Sequence, residues 1–212
     1  MQAPASPALP VLEARDLACQ RGERLLFRRL SFRLEAGAAC HVTGANGAGK
    51  TTLLRALAGL TTPYAGEVLR EGALGLIDER SGLDPELPLA RALAFWFALD
   101  NAPDTAAIMA RLRLDTLAEV PVRYLSTGQK KRASLARLVS QRAAIWLLDE
   151  PLSGLDTASQ GLVSTLVTEH CAGGGLALIA SHQPLDVAGM TSFAIEDFAP
   201  PPEPAGEWEA LA

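Results

Sequence analysis

The chain has 212 residues, 49% of them hydrophobic and 20% charged, with a formal net charge of −5. That balance excludes a disordered chain and gives enough residues for one sizeable core with a small attached subdomain. The acidic excess offers no broad basic surface, so nucleic acid is not an expected partner. Cys19, Cys40 and Cys171 are odd in number, scattered, and match no zinc-site spacing. They read as reduced, buried thiols of a cytoplasmic protein. Residues 1–10 have neither the basic start nor the apolar core of a signal peptide. The longest apolar run, residues 92–99, is far shorter than the ~20 residues of a membrane-spanning helix. Any membrane role therefore has to run through partner chains.

In chain order, residues 11–18, 25–27 and 31–34 read as short strands, separated by the turn at 20–23 and by Arg28-Arg29. Residues 38–43 form an apolar strand that stops at a glycine-rich loop. Residues 50–60 have helical spacing, with Leu53, Leu54, Leu57 and Leu60 on one side and Gly59 near the end. Strands are expected again at 67–70 and 73–77. Residues 87–117 are Ala-rich and helical with a break at Pro103, which predicts a small helical subdomain inserted into an α/β core. A helix follows Gly128 as far as Gln141. Residues 144–148 are almost wholly apolar, as a strand buried on both faces of a parallel sheet should be. A helix over 157–171, a turn at 173–175 and a second buried strand over 176–180 follow. Residues 200–212 are Pro- and Glu-rich and predict a loose tail.

Three segments carry chemistry. Gly44, Ala45, Asn46, Gly47, Ala48, Gly49, Lys50 and Thr51 fit G-x-x-x-x-G-K-[ST] between a predicted strand and a predicted helix, the setting that motif requires. Its glycines let successive backbone N–H groups converge on phosphate oxygens, and the helix N-terminus adds positive potential. Lys50 would reach the β- and γ-phosphates of ATP, the Thr51 hydroxyl would ligate Mg2+, and Thr52 belongs to the same set. Residues 145–150 form an apolar strand ending in two carboxylates, at the sheet edge where ligands of such folds sit. Asp149 suits the Mg2+ shell and Glu150 suits a general base that polarises water.

The third segment, Leu125, Ser126, Thr127, Gly128 and Gln129, resembles the LSGGQ signature of the ATP-binding-cassette family, with Thr127 where a glycine of the pair is usual. Locally, Ser126 with Gln129 also reads as a helix capping box, which does not explain the order of the motifs. The resemblance implies an α/β fold. It comprises a P-loop core of mostly parallel sheet with helices on both faces, an N-terminal antiparallel β-subdomain and an inserted helical subdomain. Residues 1–199 would form one nucleotide-binding domain, with the helical part over about 85–140. It further implies an ATP-dependent homodimer, in which Ser126, Thr127, Gly128 and Gln129 of one chain close over the ATP of the other. Residues 153–156, ending in Asp156, match the family's D-loop, and His182 matches its switch histidine, which bonds the γ-phosphate.

Two details depart from the family pattern. No Gln lies between Lys50 and Gln129, where the family carries one that touches Mg2+; Asp78 and Glu79 stand in that stretch, and either could replace it. Arg21 falls where the family stacks adenine on an aromatic ring. A guanidinium plane stacks on a base as well, and an exposed turn arginine is the other reading. Lys130, Lys131 and Arg132 read as a solvated helix face. Phe95, Trp96 and Phe97 read as core packing in the subdomain where the family's membrane partner docks.

Residues 12–19, 124–138 and 181–185 are similar to the cytochrome c biogenesis haem-exporter ATPases, the CcmA type. That likeness implies haem export coupled to integral membrane subunits, a CcmB-like permease among them, at the cytoplasmic face of the inner membrane. No residue pattern here reads as a haem site. ATPases of small multidrug or lipoprotein exporters are the alternative. Non-transport members would need a long coiled coil or a second cassette, and neither is in the sequence.

Overall fold

The computed structural model describes residues 9–78 and 81–201. Strands β1 (Val11–Arg21) and β2 (Arg24–Glu35) form an antiparallel hairpin. The chain continues through β3 (Ala39–Thr43), α1 (Lys50–Leu57) and β4 (Ala65–Glu71), and β4 returns to the open edge of β1 to give the order β2-β1-β4. The break expected at Arg28-Arg29 is a bulge inside one continuous strand. Between the pairs Leu17↔Leu30 and Cys19↔Phe27, β2 carries the extra residue, and Arg29 takes a left-handed φ of 55°. A second bulge lies opposite, on β1, where Asp16 has φ 47° and its N–H donates to Ser31 Oγ at 2.8 Å. Bulges bend and twist a ribbon without ending its pairing. Leu12, Leu17, Phe27 and Leu30 all stay buried across them.

The remaining elements are β5 (Leu74–Ile77), α2 (Leu89–Leu99), α3 (Thr105–Arg111), α4 (Thr127–Gln141), β6 (Ile145–Asp149), α5 (Thr157–Ala172), β7 (Leu176–Ala180) and β8 (Thr191–Ala194). They include a second, five-stranded sheet of order β5-β6-β7-β3-β8 in which every pairing is parallel. This sheet is the wall between two cores. Ile145, Leu147, Leu176 and Leu178 face the core that contains β1, β2 and α1; Trp146, Leu148, Ala177 and Ile179 face the core built by α2, α4 and α5. Burial on both sides is why β6 and β7 read as unbroken apolar runs. Strand β8 and the short 3-10 turn after it (Ile195–Phe198) were not expected.

Helix α1 stops three residues before the expected end. Gly59 turns left-handed at φ 75°, and Leu60 is left exposed. The helical stretch 87–117 divides into α2 and α3, with the Asp104 carboxylate accepting from Ala107 N–H at the start of α3. Of the aromatic trio, only Phe97 is core. Trp96 lies flat on the Arg137 guanidinium at 3.5 Å, and Phe95 is 65% exposed. The basic trio is not a solvated face either. Lys130 donates to Arg123 O at 3.3 Å, and Lys131 to Asp149 O at 3.4 Å. Arg132 donates to Leu112 O and Arg113 O at 3.0 and 2.9 Å, closing the end of α3. All three cysteines are buried free thiols.

Candidate functional site

Four parallel strands end at one cleft. The segment after β3 is the loop 44–49, β5 leads into Asp78, β6 ends in Asp149 and Glu150, and β7 leads through Ser181 to His182. A cavity of about 610 Å3 lies between them, in the crevice beyond the carboxyl ends of the strands where α/β folds hold ligands. Asn46, Gly47, Gly49, Lys50, Thr51 and Thr52 line it, together with Asp78, Asp149, Glu150 and His182. Gly44, Ala45 and Ala48 frame the loop. Glu79 lies outside the described residues.

The loop needs its glycines for two separate reasons. Gly44 sits at φ 145° against Glu196 and Ile195, whose atoms would stand 2.5–2.8 Å from a Cβ placed there. Gly49 caps α1 at φ 114°, and a Cβ placed there would stand 3.2 Å from Leu26 and Phe27 of β2, so the hairpin supports the loop from below. Lys50 is 6% exposed. Its Nζ donates to Gly44 O at 2.6 Å and to Ala45 O at 3.2 Å, and stands 3.8 Å from Glu150 Oε1. The side chain therefore curls over the loop, with its charge at the cleft floor. On the opposite side of the same peptide group, Ala45 N–H donates to the Glu196 carboxylate.

Glu150 lies just past β6, with its N–H bonded to Ala180 O at 2.8 Å and a left-handed φ of 45°. That conformation costs a non-glycine residue of order 1 kcal/mol and is characteristic of functional positions. Its Oε2 is 2.7 Å from His182 Nδ1. The histidine loop is held from below by His41, whose Nε2 lies 3.0 Å from Ser181 O. Asp149 is 3% exposed and faces the cleft beside Thr51 and Asp78. Among the described residues, no group of three or more His, Cys, Asp or Glu could hold a metal by itself. A hydroxyl with one or two carboxylates is the partial, hard-oxygen donor set that suits Mg2+ shared with phosphate oxygens.

The signature segment opens α4. Ser126 is the N-cap: its Oγ accepts from Gln129 N–H at 3.2 Å, and Gln129 Oε1 accepts from Ser126 N–H at 2.8 Å. Ser126 and Thr127 are both exposed, and Thr127 lines the cleft together with Lys130, Lys131 and Ser134 of the same helix. Gly128 lies against the D-loop, where a Cβ would stand 2.6 Å from Gly154 O. Asp156 is the N-cap of α5. Its carboxylate accepts from Ser159 N–H at 2.7 Å, and that bond holds it below the usual aspartate range. Ser153 lines the cleft, a contact that its sequence position did not announce. Arg21, at the end of β1, lines the outer part of the cleft. Among the described residues of the glutamine-less stretch, Asp78 and Ser81 line the cleft, with Thr51 and Asp149.

Comparison with known proteins follows the same lines. The family model described as "ABC transporter" matches residues 27–153. Curated relatives include proteins named cytochrome c biogenesis ATP-binding export protein CcmA. The one from Novosphingobium aromaticivorans is 51% identical over 189 residues, covering 89% of this chain and 97% of that protein. The one from Zymomonas mobilis is 48% identical, covering 88% and 85%, and the one from Rhodospirillum rubrum is 40% identical, covering 95% and 92%. Among solved structures, the ATP-binding subunit of an ABC transporter superposes with a TM-score of 0.73 at 22% identity, covering 82% of this chain and 80% of that one. A dimeric ATP-binding cassette in a post-hydrolysis state, bound to ADP and Pi, gives a TM-score of 0.69 at 18% identity, covering 81% and 88%. At these identities the structural likeness shows the fold. The family match spans more than half of the chain and the CcmA relatives nearly all of it, so the chain belongs to the ABC transporter family as an ATP-binding member.

Proposed function

We propose that this chain is the ATP-hydrolysing subunit of an exporter that serves cytochrome c biogenesis, with haem as the cargo moved by its membrane partners. The single observation that carries the ATPase reading is the convergence of Lys50, Thr51, Asp149, Glu150 and His182 on one cleft. The role in cytochrome c biogenesis rests on relatives at 40–51% identity that are named export proteins of that process; haem as the cargo is what the likeness of residues 12–19, 124–138 and 181–185 to the haem-exporter ATPases implies. No helix of the described residues is long and apolar enough to cross a membrane. In this reading the work is passed to separate chains, a CcmB-like permease among them, at the inner-membrane face.

In this reading the loop 44–51 with Thr52 cradles the triphosphate, Lys50 neutralises its outer phosphates, and Arg21 stacks on the adenine. Thr51 and Asp149 hold Mg2+, with Asp78 in place of the missing glutamine. The ion, when bound, offsets charge on the β- and γ-phosphates. Glu150 takes a proton from the attacking water, and His182 stands beside it to contact the γ-phosphate. Ser126, Thr127, Gly128 and Gln129 of a second copy, with the loop ending at Asp156, close the site from outside, so two ATP molecules join two chains. Residues 1–199 act as one domain, and its helices between about 85 and 140 carry the motion to the permease. The exposed Phe95 and Leu99 of α2 are the contact we assign to it.

Replacing Glu150 with Gln tests the core of this reading. A general base contributes about 10²–10⁴-fold to a rate, so hydrolysis should fall by that factor while ATP binding persists. Sizing with ATP should then show a trapped dimer. A variant that stays monomeric and still hydrolyses refutes the assignment.

A further inference from the structure

Beside the cleft, four side chains form a hydrogen-bonded series whose direction is fixed at one end. It begins at the carbonyl of Leu155, in the loop 153–156, a group that can only accept. Gln160 of α5 reaches back to it. Its Nε2 lies 3.2 Å from Leu155 O and 3.2 Å from Gln183 Oε1. Gln183 Nε2 is 3.4 Å from His182 Nε2, and His182 Nδ1 is 2.7 Å from Glu150 Oε2.

An amide outline fits either way round, and here the backbone carbonyl decides the orientation. Leu155 O requires a donor, so Gln160 presents its NH2 group. The second N–H of that group points to Gln183, whose facing atom is therefore the amide oxygen. Gln183 then turns its own NH2 to the imidazole, so His182 Nε2 accepts and bears no proton. The proton of the neutral ring sits on Nδ1 and is donated to the Glu150 carboxylate. Every acceptor in the series meets a donor.

We propose that Gln160 and Gln183 are positioning residues for ATP hydrolysis: they pass the polarity of the Leu155 carbonyl to His182, hold its ring as the Nδ1–H tautomer, and thereby aim the Glu150 carboxylate. This rests on the ATPase reading above, in which Glu150 meets the attacking water. The series also has a mechanical input. Gly154 O packs against Gly128 at the start of α4, so a shift of α4 is felt one residue from Leu155. The helical part and the hydrolytic pair are thus joined through three side-chain bonds, without passing through the nucleotide.

The ring tautomer is read directly in long-range 1H–15N spectra of the full chain without nucleotide, with His182 assigned by its loss in His182→Gln. The unaltered chain should show Nδ1–H. Gln183→Glu sets a carboxylate opposite Nε2, which must then carry a proton, so the Nδ1–H-only pattern should disappear. Gln160→Leu frees Gln183 to turn and should give a mixture of tautomers. An Nε2–H ring in the unaltered chain, or an unchanged ring in Gln183→Glu, overturns the proposal. In steady-state kinetics, Gln160→Leu and Gln183→Leu should each lower kcat about threefold to tenfold, the worth of one hydrogen bond, with KM for ATP within about twofold. The double variant should be no worse than the weaker single; additive losses would mean two unrelated effects and refute the relay. The spectra need no ATP. A chain that does not hydrolyse ATP would therefore count against the function proposed above, while the relay would stand or fall on the ring alone.

Discussion

Two glycines of this chain, each inside a helix, should respond to alanine with opposite signs. Gly128 sits in the first turn of α4, and a Cβ there would lie 2.6 Å from Gly154 O and 3.5 Å from Leu155 Cδ2. Real Cβ atoms essentially never approach oxygen closer than 3.0 Å, so the loop must retreat by at least a few tenths of an ångström. It cannot retreat freely, because Leu155 is buried and Gly154 itself is left-handed at φ 75° with Thr127 behind it. Overpacking of this kind costs about 1–3 kcal/mol. The helix-propensity gain of alanine returns about 0.5–1 kcal/mol, leaving a net loss of about 0–2.5 kcal/mol, centred near 1 kcal/mol. Gly161, near the start of α5, is exposed, and a methyl group added there would meet nothing within 4 Å. There the same substitution keeps only the gain of about 0.5–1 kcal/mol. For a chain of this size, 1 kcal/mol moves Tm by about 2–4 °C. Thermal melts followed by far-UV circular dichroism should therefore place Gly128→Ala up to about 10 °C below the unaltered chain and Gly161→Ala about 1–4 °C above it. A Gly128→Ala protein that melts above the unaltered one, as Gly161→Ala should, would refute the contact between the signature helix and the D-loop.

Three further outcomes follow from other parts of the molecule. Burial pushes the Cys19 thiol up to about 11 and raises Cys40 and Cys171 as well. Iodoacetamide at pH 8 should leave all three unmodified in the folded chain and label all three in guanidinium, as read by intact mass. His170 stacks face to face on Trp146 with ring centroids 3.9 Å apart, and burial lowers its pKa below the usual 6.5. Between that lowered value and about 6.5 the unfolded chain binds a proton that the folded chain does not, so stability falls as pH drops through that window. In urea titrations between pH 7.5 and 5.5, His170→Phe should keep the stack and show a shallower loss than the unaltered chain; equal slopes would rule out His170 as the source. Phe95→Glu with Leu99→Glu should leave Tm within about 2 °C, since both side chains are already exposed, and should abolish co-purification of the membrane subunit. Retained co-purification would move the docking surface elsewhere.

The parts of the fold legible in the sequence are those where one physical demand acts on consecutive residues. Strands β6 and β7 are buried on both faces, and nothing but an apolar run meets that demand. The phosphate loop needs left-handed backbone at Gly44, Gly47 and Gly49 and a lysine that folds back on it, so its spacing is explicit. Strand β8 shows the converse. Thr191 and Ser192 are exposed, and the strand exists because β3 offers it an edge to pair with. Its hydrophobicity announces nothing. The bulge at Arg28-Arg29 reads as a break because two charged residues interrupt the pattern, while the pairing continues on either side of them.

The misreading of Lys130, Lys131 and Arg132 has the same origin, and it bears on the site. A cluster of charges suggests solvent when its partners are unknown. Here the partners are backbone carbonyls 7 to 20 residues away, at Arg123, Asp149, Leu112 and Arg113, and a carbonyl leaves no trace in the sequence. Lys131 reaches the carbonyl of Asp149 itself, so the signature helix is tied to the strand end that bears Asp149 and Glu150. Glu196 is hidden for the same reason. It holds the N–H of Ala45 from 151 residues away, while Lys50 holds the carbonyls of Gly44 and Ala45 from within the motif. One peptide of the phosphate loop is thus gripped from both sides, and only the grip that comes from the motif could be read in advance. A pattern search locates where a nucleotide sits. The groups that keep that place rigid are chosen by the fold, and their common mark is a polar side chain that ends on the backbone of a distant strand or loop.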